Sequence, residues 1–409
     1  MRSQDAYAAL RIEDFRHFQL SRFLLTMSIQ MAETVISWRV YEITGSKMAL
    51  GWIGLSEAIP FILTSLVGGY VADKFNRFHI ARATIVGFIL TFGSLGWLMS
   101  GNNPIVSAYG VAPVYLLIGV GGIVRGFMAP AFQSIFPQIV PRALYANAAT
   151  WASNTWQTAA VAGPALGGII YGHTGAATAF TVSVGCMLCS FFVFLLVTEK
   201  PQTHAVKQES FLASFTSGLK FVFSQRAMLG AITLDLFAVL FGGAVALLPV
   251  FAKDILHVGP KGLGFLRAAP FLGSVMMGVV LAYFPPTAHA GRNLMWAVIG
   301  FGLATIGFAL SKNYYLSLFM LFLTGAFDNV SVVIRQTILQ TFTPDTMRGR
   351  VSAVNQIFIA SSNEIGAFES SLAATLMGTV PSVVFGGCMT LLVVAVIYHA
   401  IPQLRALRL

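Results

Sequence analysis

The sequence predicts an all-α membrane protein with twelve transmembrane helices in two pseudo-symmetric six-helix bundles. Three observations carry that prediction. Of the 409 residues, 56% are hydrophobic and only 10% charged, with a mean hydropathy of +0.76, far from the make-up of an average soluble chain. The apolar residues gather in blocks of about 20 or more, the length needed to cross ~30 Å of hydrocarbon as a helix. Landmarks of the first half also recur in the second at a near-constant offset, which is the mark of an internal repeat.

The blocks fall near 17–43, 48–71, 80–100, 111–134, 143–171, 176–197, 227–252, 263–284, 293–311, 314–338, 349–377 and 381–402. The polar N-terminal stretch MRSQDAYAALRIEDFRHF leads into the first block without a cleavage-site pattern, so that block is read as a retained span. With the N-terminus inside, sixteen Lys and Arg lie in cytoplasmic segments and four (Lys47, Lys253, Lys261, Lys312) in outer loops. Positive loops stay in the cytoplasm, so both termini are placed there. The polar interval TEKPQTHAVKQES, 198–210, separates the halves. Behind it, Phe211, Leu212, Phe215, Leu219, Val222 and Phe223 recur at helical spacing, as in an amphipathic helix on the inner membrane surface. The organisation is therefore a first bundle over 1–197, a linker over 198–226 and a second bundle over 227–409.

The repeat is visible in prolines and charges. Pro60 maps onto Pro270 at an offset of 210, and Pro141 onto Pro344 at 203. Glu33 in span 1 maps onto Asp235 in span 7 at 202, Arg125 in span 4 onto Asp328 in span 10 at 203, and Glu57 onto Arg267 at 210. Parallel six-helix repeats are one way to build a transporter with its binding site at mid-membrane. Seven ionisable residues (Glu33, Glu57, Arg125, Asp235, Asp328, Glu364, Glu369) lie too deep to reach the interface easily. At ~3 kcal/mol each, exposing them to lipid would cost ~20 kcal/mol, so they must face protein or water. Either a water-filled path or a structural ion pair satisfies that requirement. Arg22, Arg39 and Arg335 stand nearer block ends, where a long side chain can reach the interface.

Span 5 carries a polar and aromatic stripe, Asn147, Trp151, Asn154 and Thr158, and span 11 answers with Asn355, Ser362 and Glu369. Such faces either bind an amphipathic solute or hold packed helices together. Cys186, Cys189 and Cys388 all sit in apolar blocks and make neither a disulfide framework nor a metal site. No cofactor is expected. The net charge of +10 is scattered singly, which excludes a nucleic-acid stripe. Walker A, HExxH, GxSxG and GxGxxG patterns do not occur, which leaves little support for an enzyme.

GGYVADKFNR, 68–77, closes span 2. It resembles the loop signature of the major facilitator superfamily, G-x-x-x-D-R-x-G-R-[RK], through Gly69, Asp73, Lys74 and Arg77. Asn76 stands where the second glycine is usual, a position Asn tolerates because it enters the left-handed region readily. Phe78 replaces a basic residue. The resemblance implies that Asp73 helps close the inner gate against span 11. TWQTAAVAGPALGG in span 5 resembles the superfamily's antiporter motif through Gly163, Pro164, Gly167 and Gly168, residues that close helix packing also explains. MRGRVSAVNQIFIASSNEIGAFESSL, 347–372, is similar to the branch of enterobactin exporters and macrolide efflux proteins, through Arg348, Gly349, Arg350, Asn363, Glu364, Gly366, Phe368, Glu369 and Ser370.

The implied function is secondary active transport by alternating access. The expected form is a proton-coupled exporter of small amphipathic molecules such as drugs or siderophores, with an importer or uniporter on the same fold as the alternative. A non-transporting receptor or scaffold is the remote one. Glu33 and Asp235 are the candidate proton-coupling groups. Arg125, Asp328, Trp151, Asn154, Thr158, Asn355, Glu364 and Glu369 are the candidate cavity residues, with Arg125 and Asp328 able to pair and exchange that bond for substrate. The expected partners are a small-molecule substrate, protons and the lipid bilayer of a bacterial cytoplasmic (inner) membrane. The protein is expected to function as a monomer.

Overall fold

Each of the twelve apolar blocks falls on a helix in the computed structural model, and no strand occurs among the described residues. These are 5–101, 103–200, 211–286, 288–344 and 347–407; a few helical side chains, those of Asp73 and Arg348 among them, are also outside the description. The long helices are α1 (Glu13–Thr44), α2 (Lys47–Lys74), α3 (Arg77–Met99), α4 (Ala112–Ile139) and α5 (Tyr145–Leu195), then α6 (Phe211–Ser224) and α7 (Arg226–Phe241). They continue with α8 (Gly259–Tyr283), α9 (Ala290–Leu310), α10 (Tyr314–Phe342), α11 (Arg348–Met377) and α12 (Thr379–Ala400).

By length and composition, nine stretches of the described residues could cross a membrane. Arg142–Leu195 holds two of the predicted spans. The long helices α1 and α11 fall outside that set, and both carry carboxylates in mid-helix: Glu33 in one, Glu364 and Glu369 in the other. Polar helices of this kind are tolerated in a bilayer when protein covers them.

Spans 5 and 6 are two helices, taken together as α5, that meet as expected between 171 and 176: at Gly175 a φ of 85° and ψ of −178° break the helical geometry and turn the chain. A residue with a side chain is strained there. Span 7, expected to run unbroken from 227 to 252, stops at Phe241 and continues as a 3-10 turn, Ala244–Leu247, and a π turn, Phe251–Ile255. Gly242 and Gly243 cause the break. Gly243 also lies so close to α11 that a Cβ on it would stand 2.6 Å from the Gly366 carbonyl oxygen.

The chain divides into two compact units. The first comprises Met1–Thr44, Ser56–Gln208 and Pro260–Gly264. Its main packing lies between α1 and α5, where a Cβ on Gly163 would meet the Met27 carbonyl oxygen at 2.6 Å and one on Gly167 the Met31 carbonyl oxygen at 2.8 Å. Small residues allow this backbone approach, which supplies the dispersion contact that hydrophobicity cannot supply between helices in lipid. Gly168 has the same relation to the Pro260 carbonyl oxygen, at 2.5 Å. At one end of the unit Phe18, Phe132 and Phe194 pack together, with ring centroids 5.6 to 6.5 Å apart.

The second unit comprises Gly45–Leu55, Glu209–Gly259 and Phe265–Leu409. Its core gathers Met228 and Leu234 of α7, Leu294 of α9, Ile338 of α10, Val354 of α11 and Val394 of α12. Helix α6 packs on α11, where Arg350 donates to the Ser217 hydroxyl at 3.2 Å. Of the preceding linker, 201–210 lie outside the described residues.

Where the chain leaves α5, it is tied back to the start of α1. The Thr198 amide donates to Asp14 Oδ1 at 2.9 Å, and Lys200 Nζ lies 3.0 Å from Asp14 Oδ2. Burial pushes the Asp14 carboxyl up, but these partners outweigh it and hold the group below its ordinary value. A depressed folded value gives stability that is complete above the unfolded value of about 3.9 and fades as pH falls through the lower folded one. Thermal unfolding in detergent is therefore expected to show Asp14→Asn destabilised by roughly 1 kcal/mol at neutral pH, with the difference closing below about pH 4. An equal gap at all pH values would show that Asp14 acts through shape alone.

Candidate transport-site clusters

The first unit places an arginine between two acids. Arg125, on α4, points its Nη1 at Glu57 Oε1 of α2 at 2.5 Å and at Glu33 Oε1 of α1 at 3.9 Å. Its guanidinium also lies 5.8 Å from the centre of the Phe61 ring, a cation–π arrangement. The geometry follows from small residues on α4: a Cβ on Gly122 would run into the Glu57 backbone, and one on Gly126 into Thr64. Helices α2 and α4 therefore touch where the charges meet. The three side chains are only partly buried, with 43% of Arg125, 27% of Glu33 and 20% of Glu57 exposed. The short bond to Glu57 is charge-assisted, whereas Glu33 stands at a looser distance from the same nitrogen. With every group ionised, the trio carries one net negative charge.

In the second unit Asp235 of α7 forms an ion pair with Arg335 of α10, the two residues being 6% and 3% exposed. The expectation that Arg335 reaches the interface is corrected here. It sits about two turns inside the C-terminal end of α10 and finds a carboxylate at that depth. Asp328, two turns earlier on the same helix, lines a small cavity with Asp235, Ser331 and Phe301 that has room for about a single water. The Ser331 hydroxyl is buried and has no hydrogen-bond partner among the described residues. Asp328, Ser331 and Arg335 stand at i, i+3 and i+7, one helical stripe. That spacing was readable in the sequence; the ion-pair role of Arg335 was missed because its distance from a block end was weighed instead.

The remaining candidates are dispersed. Trp151 donates its indole N–H to the Ala6 carbonyl at 3.0 Å and packs its ring 5.7 Å from Tyr7. Asn147 accepts from the Ala9 amide at 3.0 Å and donates to the Ala6 carbonyl at 2.8 Å. The first half of the predicted stripe thus holds the N-terminal segment, while Asn154 and Thr158 are exposed, linked by a Thr158 hydroxyl to Asn154 carbonyl bond of 2.8 Å. On α11, Asn355 is 3% exposed with its Oδ1 unpartnered. Glu364 lies beside Gly54 of the second unit, and Glu369 accepts from the Ser370 hydroxyl at 3.4 Å.

In the 68–77 stretch, Lys74 ends α2 and Arg77 begins α3, donating to the Ser134 carbonyl at 3.5 Å. Asn76 does not adopt the left-handed conformation expected of it; at φ −62° and ψ 117° it caps α3 and accepts from the Phe78 amide at 2.9 Å. An N-cap needs a side-chain acceptor on extended backbone, and Asn supplies it where glycine cannot. The Asp73 side chain and the side of Gly69 lie outside the described residues. Among the described residues, no group of His, Cys, Asp or Glu is arranged to hold a metal ion.

Apolar helices arranged in two units, each with acids and an arginine inside a span, define a membrane transport protein of the major facilitator fold. The family model described as "Transmembrane secretion effector" matches residues 4–408, and the chain belongs to that family. It is 24% identical over 401 residues to the enterobactin exporter EntS of Shigella boydii serotype 18, covering 96% of this chain and 93% of the relative. In fold it is similar to a D-xylose–proton symporter, with a TM-score of 0.75, 14% identity and coverage of 98% and 100%. A bacterial homologue of the human lysosomal transporter Spinster, solved inward-facing and occupied, gives a TM-score of 0.73 at 15% identity, with coverage of 98% of both chains. The protein is a multi-pass membrane transporter of small molecules, not an enzyme.

Proposed function

We propose that the chain is a proton-coupled exporter in the bacterial cytoplasmic membrane that moves small amphipathic molecules, siderophores or drugs, outward as protons enter. Both termini would face the cytoplasm, as the positive-inside count requires. The observation that carries the reading is the Glu33, Arg125 and Glu57 cluster, with its excess carboxylate and partial exposure. A proton on Glu33 would cancel the net charge of the trio, and a cationic or neutral amphipathic solute could compete for the same carboxylates when it leaves. The clusters around Glu33 and Asp235 are the coupling sites. The relationship to an enterobactin exporter supports outward transport and a siderophore among the substrates. The protein works as a monomer, each chain carrying both charge clusters.

Flux into inside-out vesicles tests the reading, with ethidium as a cationic drug probe and iron-free enterobactin as a siderophore probe. An acid-inside gradient is expected to drive uptake of at least one probe, and a protonophore to abolish it. Uptake confined to right-side-out vesicles would favour the importer.

A further inference from the structure

We propose that Asp328, not Asp235, is the proton-accepting group of the second unit, with a single water bridging it to Ser331. The proposal rests on the proton-coupled reading and assigns it to an atom. Asp235 is bound to Arg335, and both are buried. Protonating Asp235 would strand a buried guanidinium, so that carboxylate is committed to its partner. Asp328 takes no part in that pair but lines the same cavity. Its acid brings the count of the pair and the cavity together to two carboxylates and one arginine, an excess of one negative charge; apart from the two acids and Ser331 the lining is apolar, including Ala238 and Val239 of α7 and Val298 and Phe301 of α9.

A proton cancels that excess most simply. A metal cation would need several oxygen ligands and would lie against the Arg335 charge. The second observation is Ser331: 3% exposed, lining the cavity, its hydroxyl without a partner among the described residues. A buried hydroxyl left unpaired beside water-sized space is what a relay water would satisfy. The groups facing Asp328 are few. Helix α7 contributes Asp235, and α10 itself contributes Arg335 and Ser331. The lining residues of α9 (Ala297, Val298 and Phe301) are not titratable. Helix α8, joined to α10 by the Asn329 amide donating to the Ser274 carbonyl at 2.9 Å, carries Lys261 and Arg267, the nearer of them about two turns along the helix from that contact. Helix α11 carries Glu364 and Glu369 and the buried Asn355.

The test is pH-difference infrared spectroscopy on the purified full-length protein with carbon-13 carboxyl-labelled aspartate, reading the labelled carboxylic-acid C=O band. Exposed aspartates contribute near their ordinary value of about 3.9, so the quantity read is the difference between the protein and each variant. Asp328→Asn is expected to remove one labelled band. The charge-neutral pair Asp235→Asn/Arg335→Gln is expected to keep it, whereas Asp235→Asn alone would free Arg335 to pair with an ionised Asp328 and so should lose it. Ser331→Ala should move the band's frequency without removing it. A band that survives Asp328→Asn, or that disappears in Asp235→Asn/Arg335→Gln, overturns the assignment. The spectrum needs no transport. Expected bands with no gradient-driven flux would end the coupling reading and leave the site, whereas coupled flux with a band indifferent to Asp328→Asn would do the reverse.

Discussion

Arg335→Met will destabilise the protein by about 3–5 kcal/mol, the cost of leaving a buried charge without its partner. The residue is 3% exposed and forms an ion pair with Asp235, itself 6% exposed. Water cannot replace the lost guanidinium at that depth. The double variant Asp235→Leu/Arg335→Met is expected to recover most of the loss, because two apolar side chains of similar bulk need no partner. Thermal unfolding of the purified variants in one detergent measures both. Equal melting of the single variant and the parent would mean that the pair contributes nothing, and the case for a committed Asp235 would fall with it.

The second large effect is expected on transport. Arg125→Gln removes the short charge-assisted bond to Glu57 and leaves two carboxylates facing each other. A hydrogen bond to a charged group contributes about 1.5–3 kcal/mol, so gradient-driven flux should fall by roughly 10- to 100-fold. Arg125→Lys keeps the charge but loses the planar fork, and an intermediate loss is expected. Glu33→Gln separates coupling from binding: flux down the substrate's own gradient should persist while its response to an imposed pH gradient disappears. Undiminished coupled flux in Glu33→Gln would remove Glu33 from the mechanism. Because Arg125 and Glu33 are partly exposed, these variants are expected to fold.

Much of this architecture was legible in the chain. Block lengths located the helices, and the glycines of TWQTAAVAGPALGG marked a close helix contact, now seen where Gly163 and Gly167 meet the α1 backbone. Carboxylates and arginines within apolar blocks located the two charge clusters, because few other arrangements make such residues tolerable in a bilayer. What composition could not reveal is which groups meet. The repeat offset aligned Glu57 with Arg267 as equivalent positions and was silent about contacts; the partner of Glu57, Arg125, lies 68 residues on. Arg335 was read from its distance to a block end, yet the carboxylate of Asp235, 100 residues earlier in the chain, decides its environment. Trp151 and Asn147 looked like a solute-binding face because the pattern of a polar stripe is silent about what covers it; the N-terminal segment does. Asn76 shows the same limit locally, since one residue type serves two backbone conformations and the following helix selects between them.

The bend at Gly175 bears on how the protein can be engineered. Helical hydrogen bonding runs up to it from both sides, so no slack chain exists there for a protease to grip or for an epitope to be spliced into. Reporters for topology mapping are better placed at Gly110, between the short Pro104–Tyr109 helix and α4, where the backbone already leaves helical geometry.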